Sequence, residues 1–317
     1  MNSVELARSF EGRISDLKSE VSKVIVGQEQ TVEALINALF CHGHVLMVGV
    51  PGLAKTLLVK TISTVLDLDF NRVQFTPDLM PSDIVGSEIL DEQRQFRFLK
   101  GPIFTNLLLA DEINRTPPKT QSALLEAMQE RQVTAAGKNY HLPDPFFVLA
   151  TQNPIEQEGT YPLPEAQLDR FMYQVNLDYP SFEQEVQVLK QTTQPSNVAV
   201  KAILNASEIL QFQKLVKEVP VTDAVFEYVV KLVQKSRPNT IGANSLSNQY
   251  LAYGAGPRAG QNLINGAKCH ALMHGKFSVD IEDVKAVSYW VLGHRVVLNF
   301  KAEAEGVKVK DIIDAWL

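Results

Sequence analysis

Cysteine is nearly absent. Cys41 and Cys269 are the only two, and they form neither a disulfide framework nor a metal-ligand spacing, which points to a reducing compartment. No apolar run approaches the roughly 18 residues of a membrane-spanning helix. The opening MNSVELARSFEGR also lacks the apolar core of a signal peptide. There is no excess of basic charge: Lys+Arg is 30, Asp+Glu is 36, and the formal net charge is −6. That balance argues against broad, non-specific nucleic-acid binding. There is no internal repeat and no low-complexity tract. These absences lead us to expect a cytosolic chain without membrane insertion.

What is present is ordinary for a soluble globular protein: 317 residues, 45% hydrophobic and 21% charged. The length suits two domains or one large one. A chain of this size buries about three quarters of its unfolded surface, so its core needs no staples.

Residues 1–22 carry Val4, Phe10, Ile14, Leu17 and Val21 at helical spacing, and a second helix follows Gly27. The rhythm then changes. Short apolar runs at Val45–Val48, Val73–Phe75, Leu107–Ala110, Phe146–Ala150 and Phe171–Leu177 read as buried parallel strands. Helices at about 55–66 and 117–130 alternate with them, which predicts an α/β sheet covered on both faces. Two hairpins interrupt the pattern, with turns at Asp91–Arg94 and at Ala136-Gly137-Lys138. After Pro180 the strands stop. Helices are expected over 181–193, 207–219, 222–235, 258–275 and 280–292, with Ser207, Thr222 and Asp280 as N-caps. The Asn/Ser/Gly-rich stretch Arg237–Pro257 reads as a long loop, functional or mobile. In it Tyr250 and Tyr253 are either docking residues or loop anchors. The predicted organisation is a core over 1–180, with hairpins at about 86–100 and 131–143, and an all-helical domain over 181–317.

Gly49-Val50-Pro51-Gly52-Leu53-Ala54-Lys55-Thr56 follows the first strand and opens a helix, continuing into Leu57. That is the context of a phosphate-binding loop: small residues let backbone N–H groups turn inward, and the helix N-terminus adds positive potential. Lys55 is expected to reach the β- and γ-phosphates of ATP, and the Thr56 hydroxyl to ligate Mg²⁺. Ala54 stands where the pattern usually has glycine; a right-handed backbone there would let the loop form. Leu107–Ala110 ends in Asp111-Glu112, so Asp111 is expected to hold Mg²⁺, through water or directly, while Glu112 polarises the attacking water. Asn153, at the end of another strand, either orients water or γ-phosphate or forms an Asx-turn before Pro154. Arg115 either projects toward an adjacent subunit or pairs with a local carboxylate.

The segments GVPGLAKT, LLLADE and TQNP, with Leu168-Asp169-Arg170-Phe171 and Gly256-Pro257-Arg258-Ala259, resemble the AAA+ ATPases. Asp111 to Lys119, Tyr161 to Phe171 and Val291-Leu292-Gly293-His294-Arg295 resemble the MoxR family within the helix-2-insert clade. The resemblance spans nearly the whole chain, from Val26-Gly27-Gln28 onward. It implies a P-loop AAA+ core with a C-terminal helical lid, assembled as a hexameric ring. It implies that Arg170 is an arginine finger reaching a neighbour's γ-phosphate, that Arg258 is a second sensor reaching the nucleotide from the lid, and that Val26 and Gly27 pack on adenine. It implies chaperone-like maturation of a client complex with a von Willebrand factor A domain partner. It also implies that the hairpins touch substrate or partner; Gln95-Phe96-Arg97-Phe98 suits this, unless Phe96 and Phe98 only pack the hairpin on the core. A magnesium-chelatase ATPase subunit, a nucleic-acid-directed AAA+ motor and a small-molecule kinase are the alternatives. The net charge and the lack of a DNA-binding domain weigh against the motor, and Arg170 with a helical second domain weighs against the kinase.

Overall fold

The computed structural model describes residues 3–90, 92, 94–135, 137–155, 159–193 and 199–317. The expected positions at Met1, Asn2, Asp91, Gln93 and Ala136 lie outside the described residues. Two helices, α1 (Ser3–Ser22) and α2 (Glu29–Phe40), precede β1 (Val45–Val48). Next come α3 (Lys55–Val65), β2 (Phe70–Gln74), the short α4 (Pro81–Val85), the hairpin β3 (Gly86–Leu90) and β4 (Phe96–Lys100), and β5 (Leu107–Asp111). They are followed by α5 (Pro118–Glu130), the hairpin β6 (Gln132–Ala135) and β7 (Lys138–His141), β8 (Phe147–Gln152), α6 (Glu165–Leu168) and β9 (Tyr173–Asn176).

The parallel sheet has the order β2-β5-β8-β1-β9. Its strands alternate between two cores. Val45, Met47, Leu107, Leu109, Phe147 and Leu149 face α1, α2, α3 and the C-terminal helices. Leu46, Leu108, Ala110, Val148 and Ala150 face α5 and the hairpins. Near-continuous apolar strands result because both faces are covered.

The C-terminal part comprises α7 (Phe182–Thr193), α8 (Ala206–Glu218), α9 (Asp223–Lys235), α10 (Ser245–Tyr250), β10 (Leu251–Tyr253), α11 (Pro257–Met273) and α12 (Ile281–Leu292). It closes with β11 (Val297–Leu298), α13 (Phe300–Glu305) and α14 (Val309–Asp314). It is helical, but not entirely so: β10 and β11 form a short antiparallel ladder. The expected loop Arg237–Pro257 contains α10 and β10, because the Asn244 side chain accepts from Leu246 N–H and starts a helical turn. Tyr250 anchors it through Glu305, while Tyr253 is exposed. Asn205, not Ser207, caps α8, in a reciprocal capping box with Glu208. Asp280 caps α12 as expected, and Thr222 stands at the N-cap of α9 without a side-chain bond.

α11 lies antiparallel to α2: Asn37 Nδ2 donates to Gly266 O, Cys41 Sγ donates to Asn265 O, and Glu33 faces His270. Gly266 is needed there, since a Cβ would stand 2.0 Å from the Tyr173 hydroxyl of β9. In the hairpins, Phe98 stacks on Tyr140 with centroids 4.3 Å apart and so joins β4 to β7. Phe96 is 76% exposed. Phe98 therefore packs within the fold, and Phe96 does not.

Candidate active site

Parallel strands bring their C-terminal ends to one edge, where ligands bind in α/β folds. At this edge the chain places Gly49–Thr56 after β1, Asp111-Glu112 at the end of β5, and Asn153 just beyond β8. Gly49 N–H donates to Gln152 O, which joins the first and third of these segments.

Ala54 is the N-cap of α3 with φ 53° and ψ 24°, a left-handed conformation. The right-handed backbone expected there is corrected: glycine is usual at this position because the loop needs φ > 0, and a Cβ in that region costs about 1–2 kcal/mol. Gly52 has φ +88°. With Leu53 between these two left-handed residues, the loop turns its N–H groups into a concave, anion-accepting nest. The start of α3 has no capping side chain and no acidic residue in its first turn. That backbone suits a phosphate, whose oxygens would satisfy the first-turn donors. Lys55 Nζ donates to Gly49 O at 2.6 Å. Burial holds the Lys55 pKa below its ordinary value, against the opposing pull of Asp111 and Glu112.

A dense network fixes the acidic pair. Thr151 Oγ1 donates to Asp111 Oδ1 at 2.6 Å and accepts from Glu112 N–H at 2.8 Å. Arg72 Nε and Nη2 donate to Asp111 Oδ2 at 3.0 and 2.7 Å. Gln74 Nε2 donates to Glu112 Oε2 at 2.7 Å, and Arg115 Nη1 lies 3.1 Å from the same oxygen. Arg115 therefore has a local carboxylate partner. Arg72 and Gln74 reach the pair because β2 lies beside β5, with Gln74 opposite Asp111. Glu112, like Ala54, is left-handed, with φ 59° and ψ 51°. Strain of this kind in a non-glycine residue is characteristic of functional positions. The Asn153 side-chain oxygen Oδ1 accepts from Ile155 N–H at 3.1 Å, so the Asx-turn is formed.

A cleft of about 340 Å³ flanks the glycine loop, lined by Val26, Gly27, Pro51, Leu53 and Leu57 and by Val188 and Leu189 of α7. Gln28 Nε2 donates to Leu53 O at 3.0 Å and holds the Val26-Gly27 turn against the loop. Gly27 has φ +72°, and a Cβ there would stand 2.5 Å from the Gln184 amide, so glycine is required with or without a ligand.

The two expected arginines lie elsewhere. Arg170 precedes β9, whose Tyr173 is opposite Val45 at the start of β1, and so it sits at the far edge of the sheet. Arg258 joins it there and does not reach the glycine loop from the lid: its Nη1 is 3.3 Å from Asp169 Oδ2. Both arginines line one cavity with His42, Gly43 and Arg131, none of which belongs to the loop edge. Among the described residues the Arg170 side chain forms no hydrogen bond or ion pair. Its backbone is pinned by Arg295, which donates to Asp169 Oδ1, Phe171 O and Met172 O, and by the His294 Nε2 bond to Phe171 O. Arg295 is buried, which pulls its pKa down against the support of Asp169.

Sequence reasoning missed Thr151, Arg72, Gln74 and Arg295 as supports of the site. The signal for Thr151 was present, since it follows an apolar strand run as Asp111 does, which carries both to the same end of a parallel sheet. Arg72 and Gln74 required the strand order.

A sequence model for the ATPase family associated with various cellular activities (AAA) matches residues 44–173, and an AAA lid domain model matches 243–316. Chaperone MoxR1 of Mycobacterium tuberculosis is 45% identical over 94% of this chain and 79% of its own length. The YeaC protein of Bacillus subtilis is 40% identical over 92% of this chain and 89% of its own. A crystal structure from Cytophaga hutchinsonii superposes with a TM-score of 0.92 and 43% identity, covering 98% of this chain and 95% of that one.

Proposed function

This chain belongs to the MoxR family of AAA ATPases, and from that premise we propose that it hydrolyses ATP at sites shared between copies of itself in a ring. The observation that carries this reading is the separation of the groups along the sheet. The glycine loop and Asp111-Glu112 stand at one edge, and Arg170 and Arg258 at the other. A heterologous, head-to-tail contact brings opposite edges of neighbouring molecules together, and it closes into a ring when the rotation allows.

In this arrangement Lys55 and the backbone N–H groups of residues 52–56 hold the phosphates, with Val26, Gly27 and Leu57 beside the base. Thr56 and Asp111 would hold Mg²⁺, which when bound neutralises charge on the β- and γ-phosphate oxygens. Glu112 orients the attacking water and accepts its proton, and Asn153 fixes the edge of the water's pocket. Arg170 and Arg258 of the next copy face the γ-phosphate, where a guanidinium stabilises charge on the transferring group. We place the boundary between core and lid near residue 180, just after the last sheet strand. Because α1, α2 and the lid helices share one hydrophobic core, a change at the nucleotide reaches Arg258 through packed elements.

The resemblance to MoxR proteins supports a chaperone-like role on a client complex, with a von Willebrand factor A domain protein as companion. The exposed Phe96, Leu90 and Leu99 of the first hairpin are the apolar groups available to meet either. Among the described residues, no helix is long and apolar enough to cross a membrane.

The test is the solution mass of Glu112→Gln with Mg²⁺ and ATP. A rise from 35.3 kDa to a species about six times larger is expected for a closed ring. A chain that binds ATP and stays monomeric, alone and with the companion, would overturn the shared-site reading.

A further inference from the structure

We infer that Glu33, His270 and His274 form a binding site for a divalent transition metal of the zinc class, joining α2 to α11. His270 and His274 are four residues apart at the end of α11, so both imidazoles stand on one helix face. The antiparallel packing on α2 brings Glu33 opposite them. Glu33 Oε1 lies 3.9 Å from His270 Nε2 and 3.7 Å from His274 Nε2, and the three ligand atoms all lie within 4.8 Å of one another. Zinc–nitrogen and zinc–oxygen bonds of about 2.0–2.2 Å place tetrahedral ligand atoms roughly 3.4 Å apart, so Glu33 Oε1 needs to approach each imidazole by only a few tenths of an ångström, and the two histidine ligand atoms, within 4.8 Å of each other, need to close by at most about 1.4 Å through side-chain rotation.

The surroundings of each ligand carry the inference beyond proximity. The His274 Nδ1–H donates to His270 O at 2.9 Å; a carbonyl only accepts, so the proton of the neutral ring is on Nδ1 and the Nε2 lone pair faces Glu33. His270 Nδ1 lies 2.8 Å from Asp283 Oδ1, a fully buried carboxylate, which fixes the same tautomer. Lys18 Nζ donates to Glu33 Oε2 at 2.8 Å and leaves Oε1 toward the imidazoles. Metal-binding histidines characteristically donate their other N–H to a carboxylate or carbonyl, and ligating carboxylates are themselves hydrogen-bonded. All three ligands here are supported in that way. Two imidazoles and one carboxylate select zinc, cobalt, nickel or copper over the all-oxygen environments of Mg²⁺ and Ca²⁺. His274 is 43% exposed, so the fourth position is open to water.

The site is separate from Thr56 and Asp111. It nonetheless lies at the nucleotide end of α2, because that helix begins right after Gln28, the residue bonded to Leu53 O. A bound ion would therefore fix the base-side turn relative to α11 and, through that helix, the distant Arg258.

The experiment titrates the full chain, without nucleotide, with Zn²⁺ against a chromophoric chelator. One equivalent is expected to bind, and Co²⁺ in its place should give the visible bands of a tetrahedral site. His274→Ala and Glu33→Gln should each raise the Zn²⁺ Kd at least 10–100-fold, with unchanged circular dichroism. Zn²⁺ should also raise the thermal midpoint of the wild-type chain and not of His274→Ala. Equal Zn²⁺ affinity in all three proteins, or no saturable binding by the wild-type chain, would overturn the assignment and leave the cluster as a charge pair.

Discussion

If Arg170 serves a neighbour, two inactive variants should restore each other. Arg170→Ala keeps its glycine loop and lacks the finger; Lys55→Ala keeps the finger and lacks the loop. The structure makes the within-chain alternative costly. β1 and β9 run in register from Val45–Tyr173 to Val48–Asn176, so Gly49 stands four strand steps from the Val45 edge. At about 3.3 Å per residue that is roughly 13 Å, and Arg170 lies a further three residues beyond Tyr173. Each variant alone should lose roughly 10³-fold or more of its hydrolysis, the contribution attributed to such an arginine. In a random equimolar ring, an interface with an intact loop facing an intact finger arises with probability one half times one half. Mixed rings should therefore recover about one quarter of wild-type turnover if interfaces act independently. The assay is steady-state phosphate release across mixing ratios, with ring mass checked by light scattering. Recovery should peak at equal amounts. No recovery at any ratio, with mixed assemblies formed, would refute the between-copy role of Arg170.

Two further outcomes follow from the buried polar groups. Thr151→Val keeps the shape of the side chain but strips Asp111 of a donor and Glu112 N–H of its acceptor. A buried group left unsatisfied costs about 1–3 kcal/mol. Urea unfolding should show a loss of that order, turnover should fall while nucleotide binding persists, and Thr151→Ser should retain both. Equal behaviour of the two variants would remove Thr151 from the site's support. His44 is buried between α5 and β8: its Nε2–H donates to Met128 O, and its Nδ1 accepts from Val148 N–H. Protonation would set two donors against each other. Burial accordingly lowers its pKa from 6.5 to about 4. The folded value lies below the unfolded one, so the unfolded chain takes up protons first and stability falls as pH drops from about 6.5 toward 4. At pH 5 the loss from this residue is about 2 kcal/mol relative to pH 7. The urea midpoint of His44→Gln should change less between pH 7 and 5 than that of the wild-type chain; identical changes would exclude His44 as a source.

Much of the fold was legible because its signals are local. The three central sheet strands β1, β5 and β8 are short apolar runs with both faces buried, and all five strands appear within a few residues of the expected places. Phe70–Gln74 was recognised only at its C-terminal end because Asn71, Arg72 and Gln74 interrupt the apolar pattern of this edge strand. The 237–257 region looked unstructured because α10 is six residues long and is started by a single asparagine cap. Residues that act through the backbone beside them could also be read: the glycine loop, Asp111-Glu112 and the Asx-turn at Asn153 are each contiguous in the chain.

The sequence by itself determined the alternation of strand and helix, the end of the sheet near residue 176, and the glycine loop with its lysine, because each depends on neighbours a few residues apart. Only the tertiary structure decided that Ala54 takes the left-handed backbone that the loop imposes. It also decided that Arg72 and Gln74 hold the acidic pair, since this follows from β2 lying beside β5. The placement of Arg258 with Arg170, and of Glu33 with His270 and His274, was likewise beyond the sequence. α11 lies antiparallel to α2, and that packing carries Arg258 to one edge of the sheet and the two histidines to the other. Contacts across more than two hundred residues are set by which faces pack together, and no local pattern in the chain encodes that choice.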